Sequence, residues 1–147
     1  MSNNPFVIER LFDTPISRVW NALTINEQMK KWYFNLADFK PVVGFEFSFI
    51  GKTEEGKEYL HLCKVTDVVA GKKLAYSWRY DGYPGNSVVS FDLSEEGGKT
   101  KIRLTHAGLE TFASGGADFA KENFARGWTA ILDQSLMGYL EQTKERV

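Results

Sequence analysis

The sequence has few of the residues on which several classes of protein depend. Its 147 residues include one cysteine, two histidines and four prolines. A single cysteine, Cys63, cannot form an internal disulfide bond, and this is typical of a reducing compartment. The two histidines, His61 and His106, have no further ligands at metal-binding spacing, and neither a phosphate-binding glycine loop nor a nucleophile elbow is present. We therefore expect no metal and no cofactor.

The charge and hydropathy patterns argue against two kinds of partner. Eighteen basic residues are scattered among 19 acidic ones, for a net charge of −1, so there is no basic face for nucleic acid. No run approaches the roughly 20 apolar residues that span a bilayer. The first residues lack the basic start and apolar run of a signal peptide, so we expect a cytoplasmic protein. The length predicts one domain over 1–147.

Aromatic residues, in contrast, are abundant. There are 11 Phe, 6 Tyr and 4 Trp, which make 14% of the chain. Large aromatic side chains can fill a solid core, or they can line a pocket that core packing leaves open. Both interpretations are compatible with the composition.

The first third of the chain predicts a strand followed by two short helices. Phe6 to Phe12 has the pattern of a strand. Thr14 followed by Pro15 is typical of a helix start, with a hydroxyl at the N-cap and proline at the first helical position. Asn26 is a candidate cap for a second helix, which carries Met29 and Trp32 three residues apart.

The middle of the chain alternates apolar and polar residues. Strands are predicted around Phe45–Phe49, Glu58–Val68, Leu74–Tyr80, Val89–Leu93 and Ile102–His106, with a hairpin turn at Glu95–Gly98. Each has one apolar side, so we expect an antiparallel sheet of about six strands with one face covered. The segment from Gly108 to Gly116 is rich in small residues and is expected to be a flexible link.

The last segment predicts a long amphipathic helix from Asp118 to about Gln142. Its apolar residues recur at steps of three and four: Phe124, Trp128, Ile131, Leu132, Ser135, Leu136 and Tyr139. Gly127 costs about 1 kcal/mol relative to alanine inside a helix, so we expect it to mark a close approach or open room. The pattern predicts an α+β fold in which a curved sheet grips one helix.

Four segments of the sequence resemble a known family. They are Trp20-Asn21-Ala22-Leu23-Thr24 followed by Trp32, Leu74-Ala75-Tyr76-Ser77-Trp78, Val89-Ser90-Phe91-Asp92-Leu93, and Gly127-Trp128. The chain resembles the SRPBCC superfamily, in the branch similar to the C-terminal domain of the heat-shock protein 90 ATPase activator. The resemblance implies the helix-grip fold of START domains and of the birch-pollen allergen, with a hydrophobic cavity between sheet and helix.

The predicted interior supplies the candidate binding residues. Strand parity and the helical face point to Trp32, Phe47, Phe49, His61, Cys63, Tyr76, Trp78, Tyr80, Phe91, His106, Phe124, Trp128 and Leu132. Each histidine is expected to be satisfied by a hydroxyl or a water, and Cys63 to behave as a small buried apolar residue. Arg10 shares the parity of inward residues, where it could hold an anion, or it is solvated at a strand end.

Three functions are compatible with this pattern. The first is a non-catalytic binding module for a small hydrophobic or amphipathic molecule, with the loops Gly51–Lys57 and Asp81–Asn86 as candidate gates. The resemblance implies the other two: a co-chaperone that regulates a heat-shock ATPase, and an enzyme similar to polyketide cyclases or dehydratases with His61, His106 and Arg10 as acid–base groups. The sequence is compatible with a monomer or a homodimer.

Overall fold

The described part of the chain is built on a single sheet of six antiparallel strands. A computed structural model describes residues 5–33, 36, 38–52, 56–115 and 121–144. The strands lie in the order β1-β6-β5-β4-β3-β2. Their bounds are β1 (Phe6–Phe12), β2 (Glu46–Lys52), β3 (Glu58–Val69), β4 (Lys73–Tyr80), β5 (Ser87–Glu96) and β6 (Lys99–Ala107).

The helices lie between the first two strands and after the last one. Two short helices, α1 (Ile16–Thr24) and α2 (Asn26–Trp32), follow β1, and a 3-10 helix (Leu109–Gly115) follows β6. The chain ends in α3 (Lys121–Ala130), a π-helical segment (Ile131–Leu136) and α4 (Met137–Lys144). These three run on without a break and are called the C-terminal helix below; the start predicted at Asp118 lies outside the described residues. The predicted α+β fold is confirmed.

The N-cap of each short helix lies one residue away from the N-cap predicted from the sequence. Pro15, with φ −65° and ψ 153°, is the N-cap of α1, and Ile25, with φ −93° and ψ 117°, is the N-cap of α2. Neither cap is bonded through a side chain, so the prediction that Thr14 and Asn26 cap the helices was wrong. Pro15 itself has the extended backbone that an N-cap needs, and its nitrogen has no hydrogen to donate to an intrahelical hydrogen bond.

Alternation along the strands places the apolar side chains on the concave face, as predicted. On β3, Tyr59, Cys63 and Val65 are buried while Leu60 is exposed. A bulge between Val65 and Asp67 shifts the register against β4. The extra residue moves the inward position from odd to even numbers, so Val68 packs against the core.

The C-terminal helix presents five buried residues at intervals of four. They are Phe124, Trp128, Leu132, Leu136 and Leu140. In a regular α-helix with 3.6 residues per turn, each interval of four advances the side chain by about 40°, so such a row would wind away from the sheet. The wider turn of the π-helical segment, with i→i+5 bonds, opposes that drift and keeps the row over the sheet. Ser135, expected on this face, is exposed, and so is Gly127, which has open space around it.

The predicted link after β6 is instead an ordered 3-10 helix that closes one end of the interior. Leu109 and Phe112 are buried. The hydroxyl of Thr111 accepts from the Asn86 amide at 2.9 Å and lies 2.9 Å from the Asn86 carbonyl, which joins this helix to the β4–β5 loop. A Cβ at Gly85, where φ is +107°, would stand 2.5 Å from the Phe112 ring. The loop at 81–86, a predicted gate, is thus tied to its neighbour, and the other predicted gate lies partly outside the described residues.

The close approach at Gly85 predicts a stability difference between two glycine variants. Gly85 and Gly44 have similar positive φ values, +107° and +95°, but of the two only Gly85 would bring an added Cβ within 4 Å of other atoms. Gly44→Ala should lower the free energy of unfolding by about 1–2 kcal/mol through backbone strain alone. Gly85→Ala should cost about 1–3 kcal/mol more through overpacking against the Phe112 ring and the Thr111 backbone. Urea denaturation followed by circular dichroism measures both; equal losses would contradict the packing described here.

Candidate functional site

The interior between the sheet and the C-terminal helix is an aromatic cluster. Every residue predicted to line it is buried, at no more than 9% exposure for any of them: Trp32, Phe47, Phe49, His61, Cys63, Tyr76, Trp78, Tyr80, Phe91, His106, Phe124, Trp128 and Leu132. Their placement inside is therefore a property of the fold. Their part in binding a ligand stays a prediction.

Strand register brings these residues into rows across the concave face. Phe49 pairs with His61 and His61 with Tyr80, while Cys63 lies between Phe47 and Trp78. Because paired residues of adjacent strands point to the same face, each inward residue has inward neighbours on both sides. The sequence pattern could predict which side chains of a strand point inward, but which of them become neighbours across the sheet depends on the strand register.

Trp78 stands at the centre of the cluster. Its ring is 5.5 Å from the Trp128 ring of the C-terminal helix and 5.6 Å from Phe49 of β2. Both histidines lie against it edge to face, His61 at 4.9 Å and His106 at 5.3 Å between centroids. The sheet and the helix thus meet through aromatic contacts, which favour tilted and edge-to-face geometry.

A chain of hydrogen bonds fixes the state of His106. The Trp128 indole N–H, which can only donate, donates to His106 Nδ1 at 3.0 Å. The other ring nitrogen, Nε2, is 2.7 Å from the Ser87 hydroxyl, which donates to the Trp78 carbonyl at 3.0 Å. Nδ1 must therefore be the bare nitrogen, and Nε2–H donates to Ser87. The expectation of a histidine satisfied by a hydroxyl is confirmed for His106.

Burial keeps this imidazole neutral. Loss of solvation lowers the pKa of His106 to about 3. A proton on Nδ1 would also face the Trp128 N–H, which has no lone pair to offer. His106 is thus a structural link between sheet and helix, and both of its nitrogens are already bonded.

His61 occupies a tighter place beside β2. Its Nδ1 lies 3.0 Å from the carbonyl of Tyr59, which can only accept, and its ring stacks on Phe49 at 4.5 Å. The ring also covers Gly51, where a Cβ would stand 2.7 Å from its Cε1 atom. Burial lowers the pKa of His61 to about 4, opposed by the backbone carbonyls of Tyr59 and Phe49.

The tyrosine hydroxyls form two further buried contacts. Tyr33 and Tyr76 share a hydrogen bond of 2.7 Å, and the Trp78 indole N–H donates to the Tyr80 hydroxyl at 2.9 Å. Burial raises the pKa of Tyr33, Tyr76 and Tyr80 above the ordinary value for tyrosine. The pKa of the Cys63 thiol is likewise raised by burial, in agreement with its predicted inert character.

Tyr33, Ser87 and Phe112 were not named from the sequence as members of this interior. Tyr33 directly follows Trp32 and belongs to the end of α2, a position that strand periodicity does not address. Ser87 begins β5 two residues before the predicted start. Phe112 lies in the segment interpreted as a link, where its spacing of three from Leu109 was the available signal.

Arg10 holds an anion, but one supplied by the protein itself. The side chain faces the C-terminal helix, as its parity predicted, and its Nε donates to Asp133 at 2.7 Å. Both side chains of this pair are about 37% exposed, and the hydrogen bond to Asp133 raises the pKa of Arg10. Phe6 is the partner of His106 in β6, so Arg10 lies four residues further, about 13 Å along the strand. The three proposed acid–base groups, Arg10, His61 and His106, are therefore not brought together.

Two further features are absent from the described residues. Within 5–33, 36, 38–52, 56–115 and 121–144, no group of three or more His, Cys, Asp or Glu side chains is placed to hold a metal ion. In the same residues, no helix has the length and apolar character to cross a membrane.

A sheet with two short helices after its first strand, gripping a C-terminal helix through an aromatic interior, defines an SRPBCC-type domain. The model of the family described as Activator of Hsp90 ATPase homolog 1-like protein matches residues 13–141. Since that match covers most of the chain, this protein belongs to that family. No protein of curated function matches the sequence.

Solved structures agree with the family. Protein MLL2253 of Mesorhizobium loti is 25% identical, with a TM-score of 0.75, over 95% of this chain and 98% of that one. Protein CV1439 of Chromobacterium violaceum is 18% identical, with a TM-score of 0.79, over 93% and 96%. CalU16 of Micromonospora echinospora is 24% identical, with a TM-score of 0.71, over 97% and 79%. These likenesses show the fold.

The two buried histidines predict that stability falls in mild acid. Unfolding restores an ordinary pKa near 6.5, so below that pH the unfolded chain binds protons that the folded chain does not. The stabilisation is complete above pH 6.5 and is lost as the pH falls toward 4, with a slope of up to about 1.4 kcal/mol per pH unit for each histidine. Urea denaturation between pH 7.5 and 4.5 measures this slope.

Direct titration provides the control for that measurement. In the folded protein, the nuclear magnetic resonance signals of both imidazoles should not move between pH 8 and 5. His106→Gln, which cannot take up a proton, should reduce the pH slope of the unfolding free energy. Titration of either ring near pH 6.5 in the folded protein would contradict the assignment.

Proposed function

We propose that this protein is a binding module that encloses a small apolar or amphipathic molecule between the sheet and the C-terminal helix. The observation that carries the proposal is the aromatic interior, in which rings of β4, β5 and β6 contact Phe124 and Trp128 of the helix. Sites for small molecules are mostly apolar and contain a few placed polar groups. The Tyr76 hydroxyl is such a group, fully buried among rings.

A ligand would enter by displacing a ring, because the rings contact one another. Tyr33 is the candidate, since it is half-buried at the end of α2 while Phe49, Tyr76 and Trp128, which it contacts, are buried. Its ring stands between Phe49, 5.9 Å away, and Trp128, 6.3 Å away and nearly parallel to it. A Tyr33 ring that swings outward gives up its hydrogen bond to Tyr76. The space that the Tyr33 ring leaves would lie between β2 and the C-terminal helix.

Native mass spectrometry tests the binding proposal. Protein purified gently from its source organism should carry a discrete additional mass that disappears on denaturation. Trp128→Ala should lose this mass, because it removes the wall opposite Trp78. Leu140→Ala is the matched control: it truncates a buried residue of the same helix row, at a comparable cost of about 2–5 kcal/mol, and should keep the mass. A wild-type protein without additional mass would count against the proposal.

A second candidate is regulation of an Hsp90-type ATPase, which the family match supports. A protein partner would need an outer surface, and Ile50 and Leu60 are cross-strand neighbours on the convex face, 56% and 38% exposed. Adjacent exposed apolar side chains favour contact with another protein.

An ATPase assay separates this candidate from the first. The purified protein should stimulate the hydrolysis of ATP by an Hsp90 ATPase of the same organism, and Leu60→Lys should reduce the stimulation by severalfold. Val69→Lys, at an apolar position of similar exposure near the end of β3, should leave it unchanged. No stimulation by the wild-type protein would remove this candidate.

A further inference from the structure

We infer that the interior selects an uncharged aromatic molecule that carries a hydrogen-bond acceptor such as a carbonyl oxygen, and that the Tyr76 hydroxyl is the group that recognises it. The inference rests on the proposed binding function and names the chemistry of its ligand. Three features of the interior lead to it: its lack of charge, the polar hydrogens it offers, and the position of Tyr33.

The interior has no charge with which to neutralise an ionic ligand. Among the described residues, the buried side chains that are polar or charged are His61, His106, Ser87 and the threonines Thr14, Thr24 and Thr100. Burial lowers the pKa of both histidines, so they stay neutral at physiological pH. An isolated charge is strongly disfavoured in such surroundings. A carboxylate or an ammonium group would therefore be rejected.

The polar side chains on the same face of β4 as Tyr76 and opposite it on β3 all carry hydrogens. Trp78 and Tyr80 follow Tyr76 at steps of two along β4, and Cys63 of β3 pairs with Trp78. The Trp78 indole N–H donates to the Tyr80 hydroxyl, which uses part of the acceptor capacity of that hydroxyl. Burial raises the pKa of Tyr76, Tyr80 and Cys63, so these hydrogens stay in place. Either hydroxyl of the Tyr33–Tyr76 pair can be the donor, so Tyr76 can donate to an acceptor at this position. Such surroundings favour a ligand that brings an acceptor.

The position of Tyr33 makes this acceptor a condition for tight binding. Tyr76 is about 1% exposed in the structure, and its hydroxyl loses its 2.7 Å partner when Tyr33 swings outward. A ligand that fills the vacated space keeps water away from this hydroxyl. A buried hydroxyl without a partner is disfavoured, and a ligand of pure hydrocarbon leaves it in that state. A ligand oxygen that accepts from Tyr76 restores the bond. In the free protein, the hydroxyl of Tyr33 thus occupies the position that the hydrogen-bond acceptor of the ligand would take.

Three naphthalenes of nearly equal size test the inference. They are 2-ethylnaphthalene, without an acceptor; 2-acetylnaphthalene, with a neutral carbonyl; and 2-naphthoate, with a charged one. Equilibrium dialysis at pH 7.5 gives each Kd. The acetyl compound should bind about threefold to tenfold more tightly than the ethyl compound, as one neutral hydrogen bond allows. The naphthoate should bind at least a hundredfold more weakly than the acetyl compound.

Two variants that remove the same hydrogen bond identify the group responsible. Tyr76→Phe should abolish the preference for the acetyl over the ethyl compound. Tyr33→Phe also breaks the Tyr33–Tyr76 bond but keeps the Tyr76 hydroxyl, so it should bind both compounds more tightly and retain their ratio. Tyr139→Phe, on the C-terminal helix, is the control for a generic loss of a hydroxyl. Circular dichroism melting curves verify that each variant is folded.

The outcomes separate the inference from the function on which it rests. Equal binding of the ethyl and acetyl compounds overturns the inference and supports an interior that binds small molecules. Naphthoate binding at least as tight as that of the acetyl compound, or an acetyl preference that survives in Tyr76→Phe, also overturns it. Binding of none of the three, in wild type and in Tyr33→Phe, counts against the proposed function as well.

Discussion

The hydrogen bond from the Trp128 indole to His106 Nδ1 is the interaction on which the interior depends. It joins the C-terminal helix to β6, and through Ser87 it reaches the carbonyl of Trp78 on β4. Each member of this chain is buried, so each polar atom must find its partner inside the protein. The tautomer of one imidazole is therefore linked to the position of the Trp128 indole and, through Ser87, to the backbone of β4 at Trp78. An apolar contact at the same place would leave the orientation of the helix on the sheet less well defined, because the hydrophobic effect is not directional and a hydrogen bond is.

The sequence was most informative where burial repeats at a regular interval. Period-two alternation predicted the inward face of each strand, apart from the end of β3 beyond Val65, and the row that contains Phe124, Trp128 and Leu132 predicted the helix. These patterns arise because one face of each element must leave water, whatever lies opposite. The residues that line the interior were accordingly predictable from the sequence.

What the periodicity could not predict was the partner of each inward residue. The bulge after Val65 changes the inward parity of β3, and nothing in the local sequence requires it. Tyr33 enters the interior from the end of a helix, and Phe112 enters from a 3-10 helix within a stretch of small residues. Both positions depend on tertiary packing. The polar chain through His106 was likewise beyond the sequence, since it joins residues whose proximity follows from strand register.

The π-helical segment of the C-terminal helix gives that helix one residue more than a regular α-helix would use for the same turns. Removing a single residue between Leu132 and Leu136 would shorten one interval of the buried row from four residues to three, which a regular α-helix accommodates in the same turn. Leu136 and Leu140 would then still face the sheet, whereas a deletion in the α-helical parts on either side would turn every later side chain by about 100° about the helix axis. The π-helical segment is thus the one place in this helix where a relative can lose a residue and keep the same buried row.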